Sequence, residues 1–148
     1  MVTGNTIDRF AGEYSFLSNF YPVEIVFGGE SYPSVEHAYQ AAKTLNLEER
    51  AWIRAAKKPG TAKKLGKTVT LRPGWNELRL RVMEELVLQK FSRDNALRAE
   101  LVATGDLQIV EGNTWKDAFW GVYDGKGENH LGRILMSVRS RLCGACAD

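Results

Sequence analysis

The feature that most constrains the fold is a periodic apolar stripe in the second half of the chain. Apolar side chains recur there every three or four residues, the spacing that places them on one face of a helix. The stripe comprises Trp75, Leu78, Val82 and Leu86, and it is widened by Met83, Val87 and Phe91. This pattern predicts a long helix that begins after Pro73 and Gly74 and buries one face in a core.

The rest of the chain predicts further helices with a few short strands. The predicted helices span 35–45, 47–57 and 96–103, with a helical turn at 62–66 and a last helix capped by Asn129. The predicted strands span 25–27 and 30–32, joined by a two-glycine turn, and 107–110. Ser34 is a good N-cap for the helix at 35–45, and the helix at 47–57 is expected to stop before Pro59 and Gly60. The sequence therefore predicts a helix-dominated α+β fold.

Length and composition indicate an ordinary globular domain. At 148 residues a single domain over 1–148 is expected, with a structured part at about 10–142. The hydrophobic fraction is 44% and the charged fraction is 26%, both usual for a soluble protein. The sequence has no apolar run near the ~20 residues of a membrane helix, so no membrane partner is expected. The first ten residues do not resemble a signal peptide, and we expect a cytoplasmic protein.

A run of cations lies between residues 51 and 72. It holds seven basic residues and no acidic one, whereas the net charge of the whole chain is only +2. The basic residues are Arg54, Lys57, Lys58, Lys63, Lys64, Lys67 and Arg72. One interpretation is a solvated face. The other is an electropositive rim that attracts substrates bearing phosphate.

The cysteines and histidines indicate no metal centre. Cys143 and Cys146 could chelate zinc or form a redox couple, but a second cysteine pair is lacking, and this pair follows a helix rather than opening one. We therefore expect an uninvolved tail. His37 and His130 are too few to form a metal site on their own, and acidic residues are not clustered beside them.

The helix predicted at 35–45 carries three polar residues on one face. At 100° per residue, Glu36, Gln40 and Lys43 lie within about 60° of one another. Glu36 and Lys43 are two turns apart, roughly 10 Å along the helix axis, so a one-carbon sugar centre could fit between their side-chain ends. The alternative is an acid that a helix N-terminus favours and a lysine that points into solvent.

Four short blocks of the sequence place polar groups beside aromatic residues. They are residues 16–22 (Phe-Leu-Ser-Asn-Phe-Tyr-Pro), 34–43 (Ser-Val-Glu-His-Ala-Tyr-Gln-Ala-Ala-Lys), 112–121 (Gly-Asn-Thr-Trp-Lys-Asp-Ala-Phe-Trp-Gly) and 129–136 (Asn-His-Leu-Gly-Arg-Ile-Leu-Met). In order and over about residues 10–139, the blocks resemble the signature of the NADAR family, the YbiA-like N-glycosidases. Two positions depart from that signature. Leu17 alters the first block, and Lys116 stands where the family commonly has a glycine.

The resemblance implies a YbiA-like fold and an N-glycosidase whose catalytic glutamate is Glu36. An N-glycosidic bond breaks through a sugar with oxocarbenium character, which a carboxylate stabilises. Lys43 is the expected catalytic partner, either electrostatically or as a Schiff base with ring-opened ribose. Asp117 is retained from the family block. It is expected to accept hydrogen bonds from ribose hydroxyls or from the amino edge of a guanine-like ring.

The blocks also supply a predicted substrate-binding set. Amide side chains can bind a sugar or base edge, and aromatic side chains can stack on a base or pack in the core. The free N–H groups at the start of the last helix can bind phosphate, or that helix start is ordinarily capped. The set is Asn19, Phe20, His37, Gln40, Asn113, Trp115, Trp120, Gly121, Asn129 and Gly132.

Two activities fit the resemblance. One removes ADP-ribose from ADP-ribosylated guanine in DNA or RNA, and the other hydrolyses ribosylamino-pyrimidinone phosphates of riboflavin biosynthesis. Both substrates join ribose 5-phosphate through nitrogen to a guanine-like ring, and the cation run slightly favours the larger, more anionic one. A non-catalytic ADP-ribose-binding module is the alternative, although it would not need Glu36 or Lys43. The near-neutral charge disfavours a nucleic-acid-binding protein. No cofactor is expected.

Overall fold

The computed structural model describes residues 2–143 of the chain. Its helices are α1 (Val35–Ala42), α2 (Leu47–Ala55), α3 (Pro59–Gly66), α4 (Trp75–Arg93), α5 (Asn95–Ala103) and α6 (His130–Cys143). Its strands are β1 (Val2–Thr3), β2 (Thr6–Ile7), β3 (Ile25–Phe27), β4 (Glu30–Tyr32), β5 (Gln108–Ile109), β6 (Gly112–Asn113) and β7 (Val122–Tyr123). A 3-10 helix spans Gly12–Leu17. The helix-dominated α+β fold with a few short strands is confirmed.

The chain divides into two compact units, each with its own buried apolar residues. The central unit is Asn19–Lys90, and the terminal unit is Met1–Ser18 together with Phe91–Asp148. Buried residues of the central unit include Ile25, Tyr32, Val35, Ala38, Ile53, Trp75, Met83 and Leu86. Those of the terminal unit include Ile7, Phe16, Phe91, Leu101, Ile109, Leu135 and Val138.

Helix α1 is the most enclosed helix of the central unit. All eight of its residues are buried, and it packs against α2, α3 and the β3–β4 hairpin. The hairpin pairs Val26 with Ser31, and its turn uses Gly28 and Gly29 at φ angles of 58° and 82°, which favour glycine. Because α1 is buried on every side, any polar group on it must find a partner inside the protein or face a site.

The structure corrects two helix boundaries in this unit. Helix α1 ends at Ala42 rather than Leu45, and Leu45 is 58% exposed. Helix α3 begins at Pro59, so the helical turn predicted at 62–66 was too short at its start. Proline is tolerated at the first position of a helix, where the missing N–H would have no partner within the helix. Pro59 therefore begins α3, and it also keeps α2 from continuing through the residues just before it.

The long helix predicted after Pro73 and Gly74 is confirmed as α4. Its buried face is centred on Met83, Leu86, Val87 and Phe91, whereas Val82 is only half-buried. One member of that face is not apolar: Lys90 is 2% exposed.

The terminal unit contains two small sheets that the sequence did not predict in full. β1 pairs with β2, and β2 pairs in parallel with β5, with Ile7 opposite Ile109. A second parallel pair joins β6 and β7, with Gly112 opposite Val122. Helix α6 packs against both α5 and β5. Across residues 2–143, none of the helices combines the length and apolarity that a membrane crossing requires.

Candidate functional site

The start of α1 is fixed by a closed set of hydrogen bonds around His37. The Ser34 hydroxyl caps the helix by accepting the His37 backbone N–H at 3.1 Å, and it lies 2.7 Å from His37 Nδ1. His37 Nε2 lies 2.9 Å from the Ala56 carbonyl oxygen, which can only accept, so Nε2 carries the proton. Both ring nitrogens are used inside the protein. His37 thus has a structural role at the start of α1, and its predicted contact with substrate stays a prediction.

Glu36 is a buried carboxylate with a dedicated donor. It is 8% exposed, and Gln40 Nε2 donates to its Oε2 at 2.5 Å. Its backbone N–H donates to the Asn19 carbonyl oxygen at 3.0 Å. The donor from Gln40 and the first turn of the helix both favour negative charge on this side chain. The carboxylate is thus held in one orientation by a residue one turn further along the same helix.

The contact between Gln40 and Gly66 explains how that orientation is kept. A Cβ added at Gly66 would collide with the Gln40 amide, so only glycine lets α3 approach α1 this closely. Gln40 is 4% exposed, and its Oε1 has no hydrogen-bond partner within the described residues. Gln40 therefore acts on Glu36 from a tightly packed position.

Lys43 lies at the other end of α1 and carries an unusual amine. Burial lowers the pKa of Lys43 below that of a free lysine, and the nearby Glu36 carboxylate opposes that shift. The Lys43 ammonium lies 5.7 Å from the centre of the Tyr39 ring, which in turn packs against Trp75 with ring centres 5.3 Å apart. The C-terminal carbonyls of α1 are held by Arg72, whose backbone N–H donates to the Lys43 carbonyl oxygen at 2.7 Å. The sequence-based pairing of Glu36 with Lys43 is thus matched by an electrostatic interaction in the structure.

The first block reaches this helix through Asn19. Asn19 is 9% exposed, and its Nδ2 lies 3.4 Å from Met83 Sδ, while its carbonyl oxygen accepts the Glu36 N–H. Phe20 beside it is 41% exposed. A buried amide with an exposed aromatic ring next to it fits the predicted binding role of the pair.

Sequence reasoning missed Lys90. It is almost fully buried on α4, and burial lowers the pKa of Lys90 to about 7. Its ammonium lies 5.4 Å from the centre of the Tyr21 ring. The signal was present, because Lys90 follows Met83 by seven residues and Leu86 by four, which places it on the buried stripe. The stripe alone does not show whether a lysine at this position stays inside the protein or extends its amine to solvent.

In the terminal unit, the third block forms a loop that bonds to itself. Asn113 Nδ2 donates to the Asp117 carbonyl oxygen at 2.9 Å, and the Asp117 N–H donates to Asn113 Oδ1 at 3.1 Å. Asp117 Oδ1 accepts the N–H groups of Phe119 and Trp120 at 3.0 and 2.9 Å. One oxygen of this carboxylate shapes the loop, and Oδ2 takes no part in those bonds.

Lys116, which departs from the family signature, has a backbone conformation that explains why glycine would suit this position. Lys116 has a φ angle of 64°, the left-handed conformation that favours glycine. A left-handed turn that glycine would adopt without strain is therefore formed here by a lysine.

The aromatic residues of the loop are partly available. Trp115 is 57% exposed, which excludes a core role for that side chain. Trp120 packs edge-on against Phe119 with centres 4.8 Å apart, and Phe119 packs against the His130 ring at 4.5 Å. Trp115 is thus mostly exposed, whereas Phe119 and Trp120 are half-buried within an aromatic cluster. Stacking of Trp115 or Trp120 on a substrate stays a prediction.

Asn129 and Gly132 hold the start of α6 against the backbone of residues 109–111. Asn129 has a φ angle of 55°, and its Nδ2 donates to the Ile109 carbonyl oxygen while its Oδ1 accepts the Glu111 N–H, both at 3.0 Å. A Cβ on Gly132 would collide with the Ile109 carbonyl oxygen and with the Asn129 amide. The predicted helix cap is therefore a clamp that joins the start of α6 to the strand region. A bound phosphate at this helix stays a prediction.

Gly121 has a related role beside a residue that the sequence did not single out. A Cβ on Gly121 would collide with the Glu111 carbonyl oxygen and its Oε1. Glu111 is 9% exposed, and its Oε1 lies 3.5 Å from Asn113 Nδ2. The third block thus encloses a second buried carboxylate. No periodic signal in the sequence indicated it, because β5 and β6 are only two residues each.

The structure describes one of the two cysteines. Cys143, at the end of α6, is a free thiol, and Cys146 lies outside the described residues. In the described range 2–143, His, Cys, Asp and Glu side chains form no group of three or more that could hold a metal ion.

Comparison with known proteins places the chain. The family model described as the NADAR domain matches residues 8–143. The N-glycosidase YbiA of Escherichia coli strain K12 is 37% identical, over 95% of this chain and 91% of that protein. An N-glycosidase of Nostoc punctiforme is 40% identical, over 87% of this chain and 86% of that protein. The chain belongs to the NADAR family.

Two further comparisons bear on fold and pathway. The NMR structure of the E. coli protein YbiA aligns with a TM-score of 0.84 at 35% identity, covering 99% of this chain and 90% of that one. The expected YbiA-like fold is confirmed. A riboflavin biosynthesis protein of Vibrio vulnificus is 40% identical over 87% of this chain. The match covers 36% of that protein, so the chain spans about a third of it.

Proposed function

We propose that the chain is an N-glycosidase that hydrolyses the bond between C1 of a ribose 5-phosphate moiety and a nitrogen of a guanine-like ring. The observation that carries this proposal is the pairing of Glu36 and Lys43 on α1. Glu36 is buried and oriented by Gln40, and burial lowers the pKa of the Lys43 amine. A non-catalytic ADP-ribose-binding module would need neither group. The burial of Glu36 and the partial burial of Lys43 also argue against the alternative of an ordinary solvent-exposed acid and lysine.

The chemistry follows from the electrophilic C1 of the sugar. Glu36 stabilises the positive charge that develops at C1 as the bond to nitrogen lengthens. On the imine route the sugar ring opens and its ring oxygen takes a proton. The Lys43 amine, with its lowered pKa, then adds to C1, and the nitrogen attached to the guanine-like ring leaves with a proton, which forms the imine. Water then hydrolyses the imine, which releases the sugar phosphate and restores the amine. If water attacks C1 directly, Glu36 takes its proton and Lys43 acts only through its charge.

Two substrate classes share the required bond. The names of the Vibrio vulnificus relative and of a maize relative, both riboflavin biosynthesis proteins, favour ribosylamino-pyrimidinone phosphates. The exposed Trp115, suited to stacking on a base, and the cation run favour ADP-ribosylated guanine in DNA or RNA. Asn19 and Phe20 are proposed to contact the ring or the sugar.

The test compares both substrates under identical conditions. Purified protein is incubated with an ADP-ribosylated guanine oligonucleotide and, separately, with a ribosylamino-pyrimidinone phosphate. Liquid chromatography then measures free ADP-ribose and ribose 5-phosphate. We expect release from at least one substrate. If neither is hydrolysed while the protein still binds the released sugar phosphate, the binding module is the correct reading.

Borohydride distinguishes the two routes. Reduction during turnover should trap the sugar on the protein, and peptide mapping should place the adduct on Lys43. Lys43→Arg keeps the charge but cannot form an imine, so it should lose the adduct and most activity. Lys57→Arg, at an exposed lysine outside this helix, is the matched control. An active Lys43→Arg without any adduct in the wild type would rule out the imine route and leave Glu36 acting with water.

A further inference from the structure

The basic residues of the cation run at 51–72 differ in what their charges interact with. Arg54 lies 3.8 Å from Glu30, and Arg72 bonds to the carbonyls at the end of α1, so both have partners inside the central unit. Lys57, Lys64 and Lys67 are exposed, and Lys63 is half-buried. Lys63 and Lys67 are distinguished by their position, because their charges act on the Lys43 amine.

Helix packing explains why Lys63 and Lys67 converge on Lys43. Gly66 presses against Gln40, which fixes the face of α3 that meets α1. Lys63 lies one turn before Gly66–Lys67 and Lys67 directly follows Gly66, so both side chains flank that contact. Since Lys43 is one turn beyond Gln40 on α1, the two lysines approach the same end of the helix.

A third cation reaches the same place from another helix. Trp75 packs on Tyr39, and the Lys43 ammonium lies over the Tyr39 ring. Arg79 is one turn beyond Trp75 on α4, on the side of that contact. After burial and the opposing effect of Glu36, Lys67, Lys63 and Arg79 are the charges that lower the pKa of Lys43. Three further cations, from the end of α3 and from α4, thus gather beside the Lys43 amine, and such a cluster of positive charge favours the binding of an anionic group such as phosphate.

We propose that Lys63, Lys67 and Arg79 form a phosphate subsite beside Lys43, which binds the phosphate carried by the ribose of the substrate. The identity of the sugar rests on the proposed function, whereas the recognition of phosphate rests on this cluster. Glu36 and Lys43 would hold C1, and the three cations would hold the other end of the same sugar. The phosphate can come from a monophosphate or from the diphosphate of ADP-ribose.

Binding measurements test the subsite without requiring turnover. Calorimetry would measure the dissociation constants of ribose 5-phosphate, ADP-ribose and ribose for the wild type, Lys63→Gln/Lys67→Gln and Arg79→Gln. We expect both variants to raise the dissociation constant of ribose 5-phosphate at least about tenfold, the scale of one lost hydrogen bond to a charged group. Lys57→Gln/Lys64→Gln makes the same charge change at exposed lysines that do not act on Lys43, and it should bind like the wild type.

A second readout follows the Lys43 amine. Removing the Lys63 and Lys67 charges should raise the pKa of Lys43, so the limb of the kcat/KM profile that Lys43 governs should move to higher pH. That limb is the acidic one if Lys43 reacts as a free amine, and the basic one if Lys43 acts through its charge. Ribose 5-phosphate that binds all variants equally, or does not bind the wild type, overturns the subsite. Binding that depends on the cluster in a protein that hydrolyses neither substrate supports the subsite and overturns the N-glycosidase proposal. A larger loss for ADP-ribose than for ribose 5-phosphate would identify the diphosphate as the preferred source.

Discussion

The polar side chains of α1 and those of the 113–121 loop are used in opposite ways. On α1, the Glu36 carboxylate accepts from the Gln40 side chain, and burial and nearby charges act on the Lys43 amine. In the loop, Asn113 and Asp117 spend their polar atoms on backbone groups of the loop itself. A helix closes its own backbone hydrogen bonds, so its side chains remain available for chemistry, whereas an irregular loop needs side chains to satisfy its backbone. Similar residue types in one family signature can therefore do chemistry in one region and build shape in another.

The largest expected effect comes from Glu36. Glu36→Gln keeps the side-chain size and the contact with Gln40 but removes the negative charge. We expect turnover to fall at least ~100-fold, the usual scale for a positioned acid–base group, with an unchanged thermal midpoint. Steady-state kinetics and thermal unfolding measure the two quantities. Near wild-type turnover in this variant would mean that Glu36 is only an acid at a helix start.

A pair of substitutions at Asp117 tests the loop side of the comparison. Asp117→Asn keeps an oxygen that can accept the Phe119 and Trp120 N–H groups, whereas Asp117→Ala removes it. We expect the alanine variant to lose ~1 kcal/mol of unfolding free energy, as for a lost cap, together with activity. The asparagine variant should retain most of both. If Asp117→Asn is folded but as inactive as Asp117→Ala, the carboxylate charge takes part in catalysis, as the sequence predicted.

Lys90 gives a pH-dependent prediction for the central unit. Its pKa is lowered to about 7 in the folded protein, whereas an unfolded lysine titrates near 10.4. Between these values the unfolded chain binds the extra proton, so the free energy of unfolding should rise with pH, by up to about 1.4 kcal/mol per unit. Below pH 7 both states are protonated and this contribution is constant. Urea titrations at pH 7, 8 and 9 should show this slope in the wild type and lose it in Lys90→Met. Parallel curves for the two proteins would contradict it.

The smallest expected effect is at Lys116. A lysine with a φ of 64° carries a strain of roughly 1 kcal/mol that glycine would not, although glycine also makes the unfolded chain more flexible. Lys116→Gly should therefore raise the free energy of unfolding by a few tenths to about 1 kcal/mol without changing activity. Lys126→Gly, in the neighbouring turn, serves as a comparison. A stability loss at Lys116 as large as that at Lys126 would show that the left-handed strain is not relieved.

The helices could be predicted because periodicity reports burial, but the small strands could not. α4 spans many turns, and its apolar stripe is unambiguous. β2 and β5 are two residues each and pair across a long stretch of chain, which leaves no alternation to detect. Pro59 was assigned as a boundary because proline ends one helix and begins another with equal ease. Local patterns thus predicted the helices, whose apolar residues recur at a regular spacing. They missed the short strands, which are defined by pairing with residues far away in the sequence.

The site divides along the same line. The register of Glu36, Gln40 and Lys43 follows from helix geometry alone. The hydrogen bonding of the His37 ring could not be predicted, because the partner of its Nε2 is the backbone carbonyl of Ala56, which lies outside α1. Lys90 required knowledge of which face of α4 is buried. A charge on an apolar stripe can either reach solvent or remain inside, and only packing decides between them.

The unpaired Gln40 oxygen has a consequence for how the protein can change. A buried polar atom without a partner costs about 1–3 kcal/mol, and here the same side chain orients Glu36. At the contact between Gln40 on α1 and Gly66 on α3, the packing therefore conflicts with the hydrogen-bonding needs of the Gln40 amide. Selection for heat resistance alone would favour apolar replacements at position 40 that fill the space against Gly66, and those replacements would release the carboxylate. With Glu36 in its proposed catalytic role, the Gln40 amide is where stability and activity make opposite demands on this protein.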